Sequence, residues 1–185
     1  MRYIFFINIM LLTLSSYGQD KDASHYFVYH PEGTTITVFE KEIFHGTKTI
    51  EIKDKSYHYT TEISEWGVDT NYYWDDGEYF YKYYPGLNIS DNFLPKKIHL
   101  NQEWVGKTGK HKYHVARTLD EMEIVGLNDE KIMYKDVIQI IMSPMQEGLY
   151  VPYHFYYAKG VGLIKLLHET NSYELKIERD SLKSQ

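Results

Sequence analysis

Ser172-Tyr173-Glu174-Leu175-Lys176-Ile177-Glu178 decides the fold. Tyr173, Leu175 and Ile177 alternate with Ser172, Glu174, Lys176 and Glu178. A period of two places the apolar side chains on one face and the charged ones on the other, which is a half-buried strand. The same alternation runs through Leu149, Val151, Tyr153, Phe155 and Tyr157, with Tyr150, Pro152, His154 and Tyr156 on the opposite face. Ile50 and Ile52 alternate with Thr49, Glu51 and Lys53. Tyr57, Tyr59, Thr61 and Ile63 alternate with Ser56, His58, Thr60 and Glu62.

Turn chemistry falls between these runs. Asp75-Asp76-Gly77 separates Tyr72-Tyr73-Trp74 from the run Glu78 to Tyr84 and marks a hairpin. Lys53-Asp54-Lys55, Thr108-Gly109-Lys110, Leu127-Asn128-Asp129 and Glu169-Thr170-Asn171 read as further hairpin tips. Pro85-Gly86 opens an irregular stretch from Gly86 to Lys97, with room for a helical turn or a crossover between two halves. Ser143 to Gly148, with Pro144, interrupts the later strands. Short helices fit only Glu65 to Asn71 and the tail from Asp180. The expected fold is all-β: a curved antiparallel sheet or half-barrel meander of roughly ten strands, with few or no helices.

The first residues give an address. Arg2 precedes the apolar run Ile4 to Leu14, and Ser16-Tyr17-Gly18 precedes Gln19. A positive start, a short apolar centre and small residues before a cut form a secretory signal peptide. As a helix the run rises roughly 16 Å, about half of the bilayer core, which is too short to span it. Residues 1–18 are thus expected to be removed. Residues 19–185 are expected to form a single β-rich domain with a weak internal boundary near 86–97, frayed at 19–25 and 180–185. The chain has no Cys. That excludes a lipid-modified cysteine at the cut, a disulfide framework, thiol catalysis and Cys-based metal sites. An exported bacterial envelope or secreted protein is expected, with no stable membrane insertion after cleavage. The net charge of −6 argues against nucleic acid and anionic membrane surfaces. The one basic cluster, Lys107, Lys110 and Lys112 around Gly109, reads as a solvated hairpin tip.

Tyrosine is the compositional outlier, with 19 residues in the chain. In the run 79–84, Tyr79, Tyr81 and Tyr83 share one face while Phe80 and Tyr84 flank Lys82 on the other. A sheet with one core face needs aromatics on one side only. Either both faces are covered, or one face is a ligand surface on which Tyr and Trp stack against an apolar or ring-shaped molecule.

No catalytic constellation is present. There is no G-x-S-x-G elbow and no Gly-rich phosphate loop, since Gly160-Val161-Gly162 lacks the third glycine and a following helix. Asp69 to Trp74 begins like a calcium loop but has Tyr and Trp where a ligand and Gly belong. Asp75 and Asp76 are explained by the turn. Two strand ligands on one face need a spacing of two; His111 and His114 are three apart, and His25 and His30 five apart. The histidines are therefore expected at the surface, with no metal and no cofactor.

Tyr156-Tyr157-Ala158-Lys159-Gly160-Val161-Gly162-Leu163-Ile164-Lys165 resembles the aromatic–Tyr–Ala–Lys/Pro–Gly–Val–Gly–Leu–Val/Ile–Lys motif of small exported bacterial β-domains, the TapB-like proteins and neighbouring families compared with the LolA/LolB-type carrier fold. Ile98 to Trp104 resembles their Leu-x-x-Gly-x-x-Trp segment, with Asn101 near the usual Gly, and Tyr134 to Ile140 resembles their following core strand. The resemblance covers about residues 94–178. It implies a curved antiparallel sheet and supplies no catalytic residues. Tyr157, Lys159, Gly160 and Gly162 have an architectural reading: Gly160 makes the turn, and Gly162 marks a bulge or a close backbone approach.

These observations lead to a non-enzymatic binding domain that carries an apolar or amphipathic ligand on a concave face. The candidate lining is Tyr72, Trp74, Tyr79, Tyr81, Trp104, Tyr153 and Phe155. The alternatives are a glycan- or protein-binding module using an exposed aromatic face, whose partner could be an envelope protein, and a hydrolase, which needs a cleft where His and acids converge.

Overall fold

The alternating runs become strands of one large antiparallel sheet. The structure, a computed structural model, describes residues 20–28, 35–38, 41–46, 51–52, 55–64, 67–125, 131–145, 151–168 and 171–178. The signal segment 1–18, the tail from Asp180 and the hairpin tips at 53–54 and 126–130 lie outside the described residues.

In chain order the elements are β1 (Lys21–Asp22), a 3-10 turn (Ala23–His25), β2 (Thr35–Val38), β3 (Lys41–Gly46), β4 (Glu51–Ile52), β5 (Lys55–Ser56), β6 (His58–Ser64), β7 (Gly67–Asp75) and β8 (Tyr79–Tyr84). A second 3-10 turn (Pro85–Leu87) leads into β9 (Ile89–Pro95), β10 (Lys97–Ile98), β11 (Glu103–Val105), β12 (His111–Val125), β13 (Lys131–Pro144), β14 (Tyr153–Ala158), β15 (Gly162–His168) and β16 (Asn171–Glu178). The fold is all-β, with no α-helix among the described residues. Sixteen strand segments appear where the periodicity suggests roughly ten, because four of them are two residues long and too short to show a period.

Twelve strands form the main sheet, in the order β11-β12-β13-β14-β15-β16-β2-β3-β6-β7-β8-β9. Every pairing in it is antiparallel, and β16 on β2 joins the two halves. The sheet is not closed into a barrel; β11 and β9 are its edges. Yet these edges meet. The carboxylate of Asp91 on β9 accepts the backbone N–H of Thr108 at 2.9 Å, and the Asn92 side chain accepts that of Lys107. Strands at opposite ends of the order touch only if the sheet curls round on itself.

Four expectations change. Residues 19–25 are not frayed where they are described: Ala23 and Tyr26 are fully buried, and Ala23 donates its N–H to Lys96 O at 2.8 Å. Their small and aromatic side chains fill the face of the curled sheet. The stretch 86–97 holds a helical turn at its start, in Pro85–Leu87, but is otherwise not irregular. After Asn88 reverses the chain at φ +52, β9 pairs along β8, with Phe93 as an extra residue at a bulge. That bulge breaks the alternation by which a strand is recognised. Residues 67–71 are strand, not helix, because Gly67 at φ +130 permits a tight reversal and Ser64 pairs with Gly67. Strand β14 begins at Tyr153 and not at Val151, since Pro152 has no N–H to give the ladder; residues 149 and 150 of that run lie outside the described residues.

One core cluster joins the two halves: Tyr26, Phe80, Leu94, Ile98, Trp104, Tyr113, Val115, Ile138 and Ile140, with Ala23. A second cluster lies on the other face of the C-terminal half, built from Ile124, Tyr134, Val137, Ala158 and Ile164. The long β12–β13 hairpin reaches both; its register shifts at Ala116, between the pairs Val115–Ile140 and Arg117–Gln139, and Asp136 on β13 takes φ +51.

Asp136 is also a charge node. Its carboxylate accepts Lys21 Nζ and the Tyr26 hydroxyl (2.7 Å), with Lys159 Nζ at 3.6 Å. Burial works against its charge, but the bonds from Lys21 and Tyr26 outweigh burial and hold the carboxyl below its ordinary pKa. Burial likewise opposes the charge on Lys21, and the bonds to Asp136 and Tyr26 raise its pKa. A depressed carboxyl contributes stability that is full above its unfolded pKa of about 3.9 and is lost as pH falls through the folded value. Asp136→Asn keeps a residue tolerant of positive φ and removes the charge. It is expected to lower stability near neutrality by about 1–2 kcal/mol, given the partial exposure of the group. Denaturant midpoints followed across the acid range should show the variant losing less stability on acidification than the native chain. Parallel curves would place the acid sensitivity elsewhere.

Candidate functional site

The Asp75-Asp76-Gly77 turn sets the site. Gly77 takes φ +92, and Asp76 Oδ1 accepts the N–H groups of Glu78 (2.9 Å) and Tyr79 (2.8 Å). Asp76 is therefore occupied by its own turn. The tight reversal fixes the register of β7 on β8, so that Trp74 stands directly opposite Tyr81. Their rings stack with centroids 4.3 Å apart and planes 10° from parallel. The Tyr81 hydroxyl donates to Asp76 Oδ2 at 2.8 Å, and Trp74 Nε1 donates to Ser90 Oγ on β9 at 3.2 Å. Burial and the bond to the Asp76 carboxylate push the Tyr81 phenol up to about 12. Burial works against the charge on Asp76, but the donors from Tyr79, Tyr81 and Glu78 keep its carboxyl below the usual range.

Tyr83 and Tyr57 continue this aromatic wall, with centroids 5.2 Å apart. The Tyr83 hydroxyl donates to Asn88 Oδ1 at 3.3 Å, tying the wall to the left-handed residue that follows Pro85–Leu87. Opposite the wall stands the β11–β12 turn, held against β9 by Asp91 and Asn92. Between them is a pocket of about 700 Å³, open to solvent. Tyr57, Trp74, Tyr81 and Tyr83 form its aromatic side, and Ile89 adds an aliphatic one. Asp76, Asn88, Ser90, Lys107, Thr108 and Lys110 supply polar and charged groups.

Of the seven aromatics singled out in the sequence, Trp74 and Tyr81 line this pocket. Tyr79 leans edge-on against Tyr81 with centroids 6.3 Å apart, and Tyr72 stands opposite Tyr83; neither belongs to the lining. Trp104 is buried in the core, stacked on Tyr113 at 5.2 Å. Tyr153 and Phe155 stack along β14 with centroids 6.3 Å apart. Register places Trp104, Tyr113, Met142 and Tyr153 in one row across four strands, on the core side of the C-terminal half. The seven therefore divide between two surfaces. The motif at 157–162 has structural contacts: Tyr157 packs against the core, Gly160 at φ +70 donates its N–H to His25 O, and Gly162 takes φ +92. The bulge falls at Ile164, between the pairs Tyr156–Lys165 and Tyr157–Leu163.

Tyr57, Asp76, Tyr83, the segment 88–90, Lys107, Thr108 and Lys110 were not anticipated as lining. The basic cluster was visible, but alternation cannot show that its turn folds against a distant strand edge. Among the described residues no group of three or more His, Asp or Glu is placed to hold a metal ion. His25 and His99 are exposed as expected, whereas His58, His111, His114 and His154 are half-buried. No described helix is long and apolar enough to cross a membrane. No family model matches the chain, and no curated protein and no solved structure matches it.

Proposed function

We propose that this chain is an exported, non-enzymatic binding domain that holds a small amphipathic molecule in the Trp74–Tyr81 pocket. The observation that carries this reading is the pocket itself. Its volume of about 700 Å³ falls in the range of small-molecule sites, and it combines four aromatic rings with a few polar groups. Hydrogen bonds from Trp74 to Ser90, Tyr81 to Asp76 and Tyr83 to Asn88 hold three of those rings in place before any ligand arrives. A preformed wall of this kind avoids much of the ordering cost of binding. The signal-like start of the chain supports an envelope or extracellular setting, and the resemblance of residues 94–178 to carrier-like β-domains supports a carrying role.

A glycan is the second reading. Stacked Trp74 and Tyr81 beside Ser90, Asn88 and Thr108 also suit the alternating apolar faces and hydroxyls of a sugar ring.

Native mass spectrometry of the protein purified from an envelope-targeting host tests both readings. A bound mass of lipid size is expected, and it should be lost in Trp74→Ala. Truncating a stacked aromatic anchor of this kind weakens binding by at least about tenfold. A sugar-sized adduct would favour the glycan reading. A bare protein that also fails to take up any added amphiphile or glycan would overturn the assignment of the pocket.

A further inference from the structure

The basic turn at the pocket mouth narrows the ligand class. Lys107 and Lys110 both line the pocket, and among the described residues neither side chain forms an ion pair. Other lysines do. Lys112, in the same turn region, pairs with Glu103 at 2.8 Å, Lys96 with Asp75 at 3.3 Å and Lys131 with Glu123 at 3.0 Å. The carboxylate that lines the pocket, Asp76, is taken up by the Glu78 and Tyr79 N–H groups and the Tyr81 hydroxyl. The carboxylate behind the turn, Asp91, is buried and accepts the Thr108 N–H.

Two lysines whose side chains form no ion pair therefore line an aromatic pocket in a chain of net charge −6. Their backbone is held in place. Asn92 accepts the Lys107 N–H, Gly109 N donates to Gly106 O at 2.8 Å, and Gly109 takes φ +69 between the two lysines. A site open to solvent, with two lysines on a held turn beside an aromatic wall, attracts anions by field as well as by contact.

We infer that the ligand carries an anionic group, a sulfonate, sulfate, phosphate or carboxylate, on an apolar or ring-shaped body. The body lies against Trp74, Tyr81 and Tyr83, and the anion lies between Lys107 and Lys110. This rests on the pocket reading above.

Naphthalene-2-sulfonate and naphthalene-2-sulfonamide make a matched pair, alike in shape and different in charge. Methanesulfonate supplies the anion without the body. Isothermal titration of the protein with each is expected to give sulfonate binding at least tenfold tighter than sulfonamide binding, and weak or no methanesulfonate binding. In the Lys107→Gln, Lys110→Gln double variant the sulfonate affinity should fall to within about twofold of the sulfonamide affinity measured on the same variant, with the thermal midpoint unchanged. Added salt should reduce the sulfonate preference in the native chain and not in the variant. Equal binding of the two naphthalenes to the native chain would overturn the anionic inference and leave the pocket reading standing. A sulfonate preference that survives in the double variant would overturn it as well, by placing the anion elsewhere. Methanesulfonate binding as tightly as naphthalene-2-sulfonate would mean a free-anion site and remove the apolar body. If none of the three binds, the anionic inference falls, and the native mass measurement above decides the pocket reading.

Discussion

Replacing Phe80 by alanine is expected to lower stability by about 3–5 kcal/mol, the usual loss for a large aromatic removed from a packed core. Phe80 is 1 % exposed and sits where three parts of the chain meet. Phe27 from the N-terminal segment lies 5.0 Å away between ring centroids, Leu94 stands opposite on β9, and Phe93 is at 6.4 Å. Lys96 Nζ lies 3.8 Å from the ring centroid while it pairs with Asp75. Alanine removes the ring from all of these contacts, and the surrounding strands cannot close the space because their register is fixed by hydrogen bonds. Urea midpoints read by circular dichroism give the measurement, with Leu87→Ala as the control. Leu87 is 60 % exposed, and its truncation should stay within about 0.5 kcal/mol. A Phe80→Ala loss no larger than the control's would show that the two halves are not joined through this residue.

The meeting of the two sheet edges gives the second large effect. A Cβ built on Gly106 would lie 2.7 Å from Asp91 Oδ2 and 2.9 Å from Oδ1. Asp91 is buried and tied to the Thr108 N–H, so it cannot swing out of the way without leaving that donor unpaired. Gly106→Ala is therefore expected to lower stability by about 1–3 kcal/mol, the range for overpacking a tight contact. Asp91→Ala should have a similar effect for the opposite reason: it leaves the Thr108 N–H without its acceptor. The combination is the decisive comparison. In Gly106→Ala, Asp91→Ala the new methyl occupies space that the carboxylate has left, so the double variant should be no less stable than Asp91→Ala alone. The same turn carries Lys107, Thr108 and Lys110 into the pocket, so each single variant should also weaken ligand binding. Simple addition of the two losses would mean that Gly106 and Asp91 do not press on each other.

The strands were legible because period-two alternation is a local property. Ser172 to Glu178 lies on β16 and Tyr57 to Ile63 on β6 and the residue before it, and the Asp75-Asp76-Gly77 turn falls between β7 and β8. Alternation fails where backbone geometry interrupts it. The extra residue Phe93 concealed β9, the two-residue strands gave no period, and residues 20–28 carry no pattern because their order comes from burial between other elements. The aromatics on both sides of β8 were also visible in the sequence. Their uses diverge: Phe80 joins the core, while Tyr81 and Tyr83 line the pocket.

By itself, then, the sequence determined the all-β class, most of the hairpins, the absence of cysteine chemistry and the two-faced aromatic strand at 79–84. Each follows from residues within a few positions of one another. Only the tertiary structure decided that β9 and the β11–β12 turn come together, because the contact joins strands at opposite ends of the sheet order. Register sets Trp104, Tyr153 and Phe155 apart from Trp74 and Tyr81, and the contact of the two edges makes a solvated-looking lysine turn one wall of a pocket. A side chain's face on its strand is set locally, but what stands opposite that face is set by the curl of the whole sheet.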